Sequence, residues 1–248
     1  MTHRPRLTRL LAVSAILFSL TQVTCVAQQA YVGRYDLYTG FSDLKTPGLN
    51  GINQIGFHLQ AGITNTHLIS SGFDYSIQSG DTTLIPSMAS PVIIAGITQL
   101  YAAGYLPPTY ALNIPMHATT QTFTAGSQLN YRHFSKVTLF IRPSLAAFRL
   151  AATPHPQNIQ DGIVVGALEA ANVLQPNGNI VDWTGAYGIG GGAELALAKH
   201  LGLRMQMDVV WNHPFNYVLA NGGWSYRYSF GPAFHFGRNV PAHPHKMN

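Results

Sequence analysis

The sequence predicts an all-β protein: an antiparallel up-and-down transmembrane β-barrel, with eight strands favoured and ten as the alternative. Three observations lead there. Apolar and polar residues alternate with a period of two along most of the chain, which is the spacing of half-buried strands. Charged residues are 9% of the 248 and aromatic residues 11%, too little charge to clothe a water-soluble surface. The connections between alternating runs are short and long in turn, the asymmetry of a barrel that crosses a bilayer.

The chain opens with a leader. Arg4, Arg6 and Arg9 precede an apolar run over residues 10–20, and Cys25-Val26-Ala27 offers a small-x-small cleavage site. This is the layout of a secretory signal peptide over residues 1–27, and the run is short for a helix that must cross a membrane with about 20 residues. A lipid-modified leader would place leucine three residues before the cysteine, where Gln22 stands. With the cut after Ala27 no cysteine remains, so disulfides and metal–thiolate sites are not expected. The leader's three arginines account for three of the five net positive charges, and no basic cluster follows, which argues against a nucleic-acid partner.

Eight runs follow over residues 28–238. In the first (31–41), Tyr35, Leu37 and Phe41 share one face with Arg34, Asp36 and Tyr38 opposite. In the second (53–63), Ile55, Phe57 and Leu59 oppose Gln54, His58 and Gln60, and in the third (68–78) Phe73, Tyr75 and Ile77 oppose Asp74, Ser76 and Gln78. The fourth (120–132) sets Phe123, Leu129 and Tyr131 against Gln128, Asn130 and Arg132. The fifth (136–148) sets Leu139, Ile141 and Leu145 against Phe140 and Arg142. Pro143 removes a ladder donor there, so a bulge or register break is expected. The sixth and seventh form a hairpin across Lys199 and His200. GIGGG inside it resembles a phosphate loop, but the alternation continues through it, with Trp183, Tyr187, Ile189 and Leu195 against glycines and Glu194. In the seventh, Leu203, Met205, Met207, Val209 and Trp211 oppose Arg204, Gln206 and Asp208. The eighth (224–237) sets Trp224, Tyr228, Phe230, Phe234 and Phe236 against Ser225, Arg227, Ser229 and His235. Residues 239–248 form a short tail, expected in the periplasm with both termini, because eight is even.

The long connections lie near residues 80–119 and 152–181. The first is unusually apolar, and a structureless loop of that length is uncommon. A short helix over 91–105, lying on or in the barrel mouth, is favoured over an extra hairpin that would make ten strands. A second short helix is expected near 166–173.

Assigning the large apolar faces to lipid sends an interior charge network to the other side: Arg34, Asp36, Asp74, Arg132, Arg142, Glu194, Arg204, Asp208 and Arg227, with His58 among them. An eight-stranded barrel has room for packed side chains rather than a channel, so these residues are expected to pair. A soluble lipocalin-like barrel would need the opposite arrangement, with charge all round its outside. Trp183, Trp211, Trp224, Tyr31 and Tyr226 fall near strand ends, where interfacial girdles place such rings.

Little in the sequence points to chemistry. His155, His213, His243 and His245 lack metal-ligand spacing, and no metal or cofactor is expected. There is no GxSxG elbow, and a pairing such as His58 with Ser70 has no geometric support from sequence. The expectation is a non-enzymatic outer-membrane protein with a structural, adhesive or surface-contact role; a small-solute channel and a lipid-modifying enzyme are the alternatives. Its partners would be outer-membrane lipid, with periplasmic chaperones and the barrel insertion machinery during biogenesis.

FTAGSQLNYRH, WTGAYGIGGGAEL, LGLRMQMDVVW and YRYSFGPAFHFG together resemble the family of outer-membrane protein β-barrel domains of the OmpA transmembrane type. Gly190 to Gly192, Leu203-Arg204 with Asp208, and Phe234 to Gly237 match its closing strands. The resemblance implies the fold and no reaction. Such proteins often add a peptidoglycan-binding domain; about ten residues follow the eighth run here, so no wall-binding role is implied.

Overall fold

The computed structural model describes Gln29 and residues 31–47, 52–216 and 218–241; the leader and most of the tail lie outside them. Eight strands close into one antiparallel barrel, each paired with its sequence neighbour and β1 with β8. They are β1 (Gly33–Thr46), β2 (Ile52–Thr64), β3 (Ile69–Leu84), β4 (Ile114–Tyr131), β5 (Val137–Pro154), β6 (Ile180–Ala198), β7 (Leu201–Asn212) and β8 (Gly223–Asn239). Helix α1 (Pro91–Ala102) precedes β4, and α2 (Ile159–Ala170) precedes β6. Closure leaves no unpaired strand edge, the condition for a β-structure surrounded by lipid. No described helix is long and apolar enough to span a membrane.

Lipid explains the outward face. Phe57, Phe73, Leu129, Ile141, Leu145, Met205, Phe230 and Phe234 all stand exposed around the barrel. In water so continuous an apolar belt would be a severe liability. Aromatic rings gather at its two margins. Trp183 stacks on Phe123 at 5.8 Å and Tyr187 on Trp211 at 5.7 Å toward the long loops; Tyr131 stacks on His133 at 5.8 Å by a short turn.

Past the belt on the long-loop side the alternation inverts. On β3, β4 and β5 the outward residues become Ser79, Asp81, His117, Thr119 and Thr153, while inward Leu84, Ile114, Ala118, Leu150 and Ala152 are buried. These strands therefore run further than the lipid-spanning pattern indicates. Residues 80–84, 114–119, 152–154 and 180–181, read from sequence as loop, are strand. The inverted inner wall is covered by α1, α2 and the side chains of Phe215, Val218 and Leu219, which share one apolar core with it.

Local signals start both helices. Ser90 caps α1, accepting from the Ile93 amide at 3.4 Å, and Pro91 opens its first turn. Asn158 caps α2, accepting from the Asp161 amide at 2.7 Å. That cap sets the start of α2 at Ile159, seven residues before the expected 166. The structure has eight strands, not ten, because residues 91–102 are helical.

Two further expectations are corrected. Pro143 creates no bulge: β5 keeps one register with β4 on either side of it, and pairing merely lapses at Ser127 and Gln128. The register shifts lie elsewhere, between Gly33 and Tyr35 and between Ala196 and Ala198. The GIGGG glycines lie in β6, and Gly188, Gly190 and Gly192 point inward. A Cβ on Gly190 would collide with the Asp208 carboxylate, so that glycine makes room for an interior charge.

Candidate functional site

The inward positions of six strands bring seven of the nine expected charges together. They form two clusters. In the deeper one Arg142 lies 2.6 Å from Asp74 and 3.1 Å from Asp208, and Arg227 lies 3.2 Å and 2.8 Å from the same two carboxylates. Two arginines thus face two aspartates, and the net charge is zero. Arg227 also donates to Ser76 at 2.7 Å. All four charged residues are buried.

The second cluster centres on Arg204. Its guanidinium binds Asp36 through both terminal nitrogens, Glu194 at 2.6 and 2.9 Å, and the Gln60 side-chain oxygen at 3.2 Å. Tyr38 and Phe140 sandwich it, each 5.4 Å from the guanidinium carbon. His235 joins from β8, with Nε2 2.5 Å from Glu194.

The remaining two arginines do not join. Arg34 is exposed, because the shift between Gly33 and Tyr35 takes it out of the alternation at the end of the barrel. Arg132 lies just beyond β4, where it donates to the His67 carbonyl. Burial lowers its pKa to about 10. Sequence reading placed His58 on the inner face among these charges but did not include His235; its inward position on the eighth run was the available signal.

His58 resembles a catalytic histidine at first sight. Its Nδ1 lies 3.0 Å from Ser229 and its Nε2 3.2 Å from Asp74, while Ser70 instead hydrogen-bonds Asn130. Yet His58 and Asp74 are fully buried, and His58 does not line the cavity of about 800 Å³ that opens at the short-turn end. The set ties three strands together and offers a substrate no access. Asp36, Glu194 and His235 have metal-ligating atoms close together, but Arg204 already occupies both carboxylates and would repel a cation.

Along the axis the interior has three zones. A cavity of about 800 Å³ opens at the short-turn end, with Arg132, Lys136 and Lys199 near its rim and Arg204 and Phe140 toward its floor. The two ion-pair clusters fill the middle. The apolar core beneath α1 and α2 closes the far end, leaving a void of only about 60 Å³.

The fold is that of a small outer-membrane β-barrel. The structure of Neisserial surface protein A superposes with a TM-score of 0.52 at 10% identity, covering 83% of this chain and 99% of that one. Ail, the attachment invasion locus protein of Yersinia pestis, also matches at 10% identity, TM-score 0.46, over 83% of this chain and 99% of its own. The outer-membrane protein OprG of Pseudomonas aeruginosa matches at 9% identity, TM-score 0.43, over 86% and 100%. No protein-family model and no curated protein matches the sequence. The small-barrel likeness therefore rests on geometry, with Neisserial surface protein A as its basis.

Proposed function

We propose that this chain is a non-conducting outer-membrane barrel, with its termini in the periplasm, whose role is structural, adhesive or surface contact through its capped outer end. The observation that carries this reading is the sealed axis. Charge-paired side chains fill the centre, and an ordered apolar cap closes the end from which the long connections rise. A small barrel has no spare radius for ions to pass such a plug. The cap would give the protein a rigid outer face, and its helices and turns would be the part a surface partner meets. An enzyme in the lumen is disfavoured, because the buried serine–histidine–aspartate contact there is closed to substrate.

The blind cavity at the short-turn end supports a narrower second reading, the holding of a small anionic solute between Arg132, Lys136 and Lys199. It would hold the solute without passing it.

Conductance in planar bilayers tests the sealed axis. Purified protein is expected to give no stable channels, either intact or with residues 87–113 replaced by a short glycine–serine linker, because the ion pairs remain. Stable channels in the intact protein would overturn the reading. Channels that appear only on removal of the cap would make α1 a gate and support solute passage.

A further inference from the structure

Above the aromatic belt, on the outward face of β3 and β4, stand Ser79, Asp81 and His117. Ser79 and Asp81 are two residues apart and so point the same way; the register sets Asp81 opposite His117 and Ser79 opposite Thr119. His117 Nδ1 lies 2.7 Å from an Asp81 oxygen, and His117 Nε2 lies 2.8 Å from the Ser79 oxygen. We propose that Ser79, His117 and Asp81 form a serine-hydrolase site on the outside of the barrel, acting on carboxylic esters at the outer membrane–water boundary.

The nitrogens are the right way round for nucleophilic catalysis. A carboxylate only accepts, so Asp81 holds the proton of neutral His117 on Nδ1 and leaves Nε2 free to take one from Ser79. This is the reverse of the buried His58 contact, where Nδ1 faces serine. Access differs as well: the His117 side chain is 48% exposed and that of Asp81 87%.

Position selects the substrate. Tyr75 packs on Phe123, which stacks on Trp183, at the margin of the apolar belt. Ser79 lies four residues beyond Tyr75, about 13 Å along the strand and less along the membrane normal once strand tilt is allowed for. That level is the polar boundary of the bilayer: along the register Ser79 pairs with Ile55, which pairs in turn with Asp43 of the Lys45–Asp43 ion pair. Esters come within reach there either as acyl groups of membrane lipids or as soluble esters in the outer water.

The reaction balances without a co-reactant other than water. The Ser79 oxygen attacks the ester carbonyl as its proton passes to His117 Nε2. The tetrahedral intermediate collapses, the bond to the alcohol oxygen breaks, and His117 returns the proton to the leaving alcohol. Water then attacks the acyl-serine and gives a proton to His117; the bond to Ser79 breaks and its oxygen regains that proton, leaving acid and alcohol. The Thr119 hydroxyl, 3.0 Å from the Ser79 oxygen, is the nearby donor for the oxyanion. Beyond Ser79 the β3 backbone is paired with β4, while its pairing with β2 ends at Ser79. Loss of one donor from a built oxyanion hole costs about 10²–10³ in rate, so turnover is expected to be slow.

The full-length protein, folded in detergent micelles, should react with a fluorophosphonate probe at Ser79, located by peptide mass. It should also hydrolyse 4-nitrophenyl butyrate. Ser79→Ala should abolish both reactions, and His117→Gln should lower labelling by about 100-fold or more. Ser71→Ala, on the same outward face, should leave labelling unchanged, and all variants should keep the circular dichroism of the folded barrel. Asp81 acts by positioning His117: Asp81→Asn should alter the pH profile of labelling, and Asp81→Glu should restore part of it. Release of oleate from dioleoylphosphatidylcholine vesicles carrying the protein would identify lipid as the ester source; hydrolysis of the butyrate alone would identify soluble esters. Absence of label on Ser79 in folded protein, equal labelling of His117→Gln, or labelling without turnover of either ester would overturn the proposal.

Discussion

Replacing Arg204 with methionine tests the energetic account of the interior. Methionine keeps much of the arginine stem's volume and apolar contact with Tyr38 and Phe140, so the change isolates the loss of charge. The wild-type guanidinium makes two hydrogen bonds to Asp36, two to Glu194 and one to Gln60. Without it two carboxylates are left, side chains 12% and 8% exposed, with the His235 ring as a remaining close partner. Breaking a buried pair from one side costs about 3–5 kcal/mol. Asp36 and Glu194 line the open 800 Å³ cavity, and water there can reach the orphaned charges, so the lower end applies. About 3 kcal/mol is a factor of roughly 10² in the unfolding equilibrium. Arg227→Met should cost more, about 5 kcal/mol, because Asp74 and Asp208 lie deeper, at 0% and 4%. Urea unfolding of the barrel in lipid vesicles measures both. Adding Asp36→Asn and Glu194→Gln to Arg204→Met should recover most of the loss, since the orphaned charges go with their partner. A loss of about 1 kcal/mol or less for both single variants, the level of an exposed pair, would refute the buried-network account.

Two other outcomes follow from the same geometry. In vesicles, a bilayer-soluble maleimide should label Met205→Cys strongly and Arg204→Cys hardly at all, because position 205 is exposed to lipid and 204 is buried; labelling at 204 without 205 would invert the faces. In the cap, burial and a 3.0 Å hydrogen bond to Asp161 raise the Tyr110 pKa above the usual tyrosine value. Unfolding frees this phenol to ionise near pH 10, so the unfolded cap binds fewer protons there and the folded cap loses stability as pH rises through and above that value. Hydrogen exchange of α2 should therefore quicken between pH 9 and 11 more in wild type than in Tyr110→Phe, after correction for the intrinsic exchange rate; equal pH dependence would dismiss the effect.

Much of the barrel was legible because its rules are local. Period two assigns each residue of a strand to a face without knowledge of its partner, so Met205 could be read as outward and Arg204 as inward from neighbouring letters alone. The same rule explains the strand count, for the helix over residues 91–102 replaces what would otherwise be an additional hairpin. Ser90 and Pro91 announce its start within two residues. The rule failed at ends. Arg34 follows the alternation in sequence but loses its place to a register shift against β8. Residues 80–84 and 114–119 were read as loop because their outward side chains are polar, the reverse of the lipid-facing code.

The sequence by itself determined the alternation, the short and long connections and the polar character of the membrane-level interior, all of which depend on near neighbours; it favoured eight strands and left ten open until the structure placed a helix over Pro91–Ala102. Tertiary structure decided which charges meet. Asp74 and Arg227 are brought together by closure of the barrel, and Arg204 reaches Asp36 across a separation of 168 residues. Closure likewise turned apolar loop residues into a cap core by giving them the inverted inner wall of β3 to β5 to cover. The β3–β4 pairing set His117 beside Ser79, because antiparallel register, fixed along whole strands, determines which side chains share a face at one height.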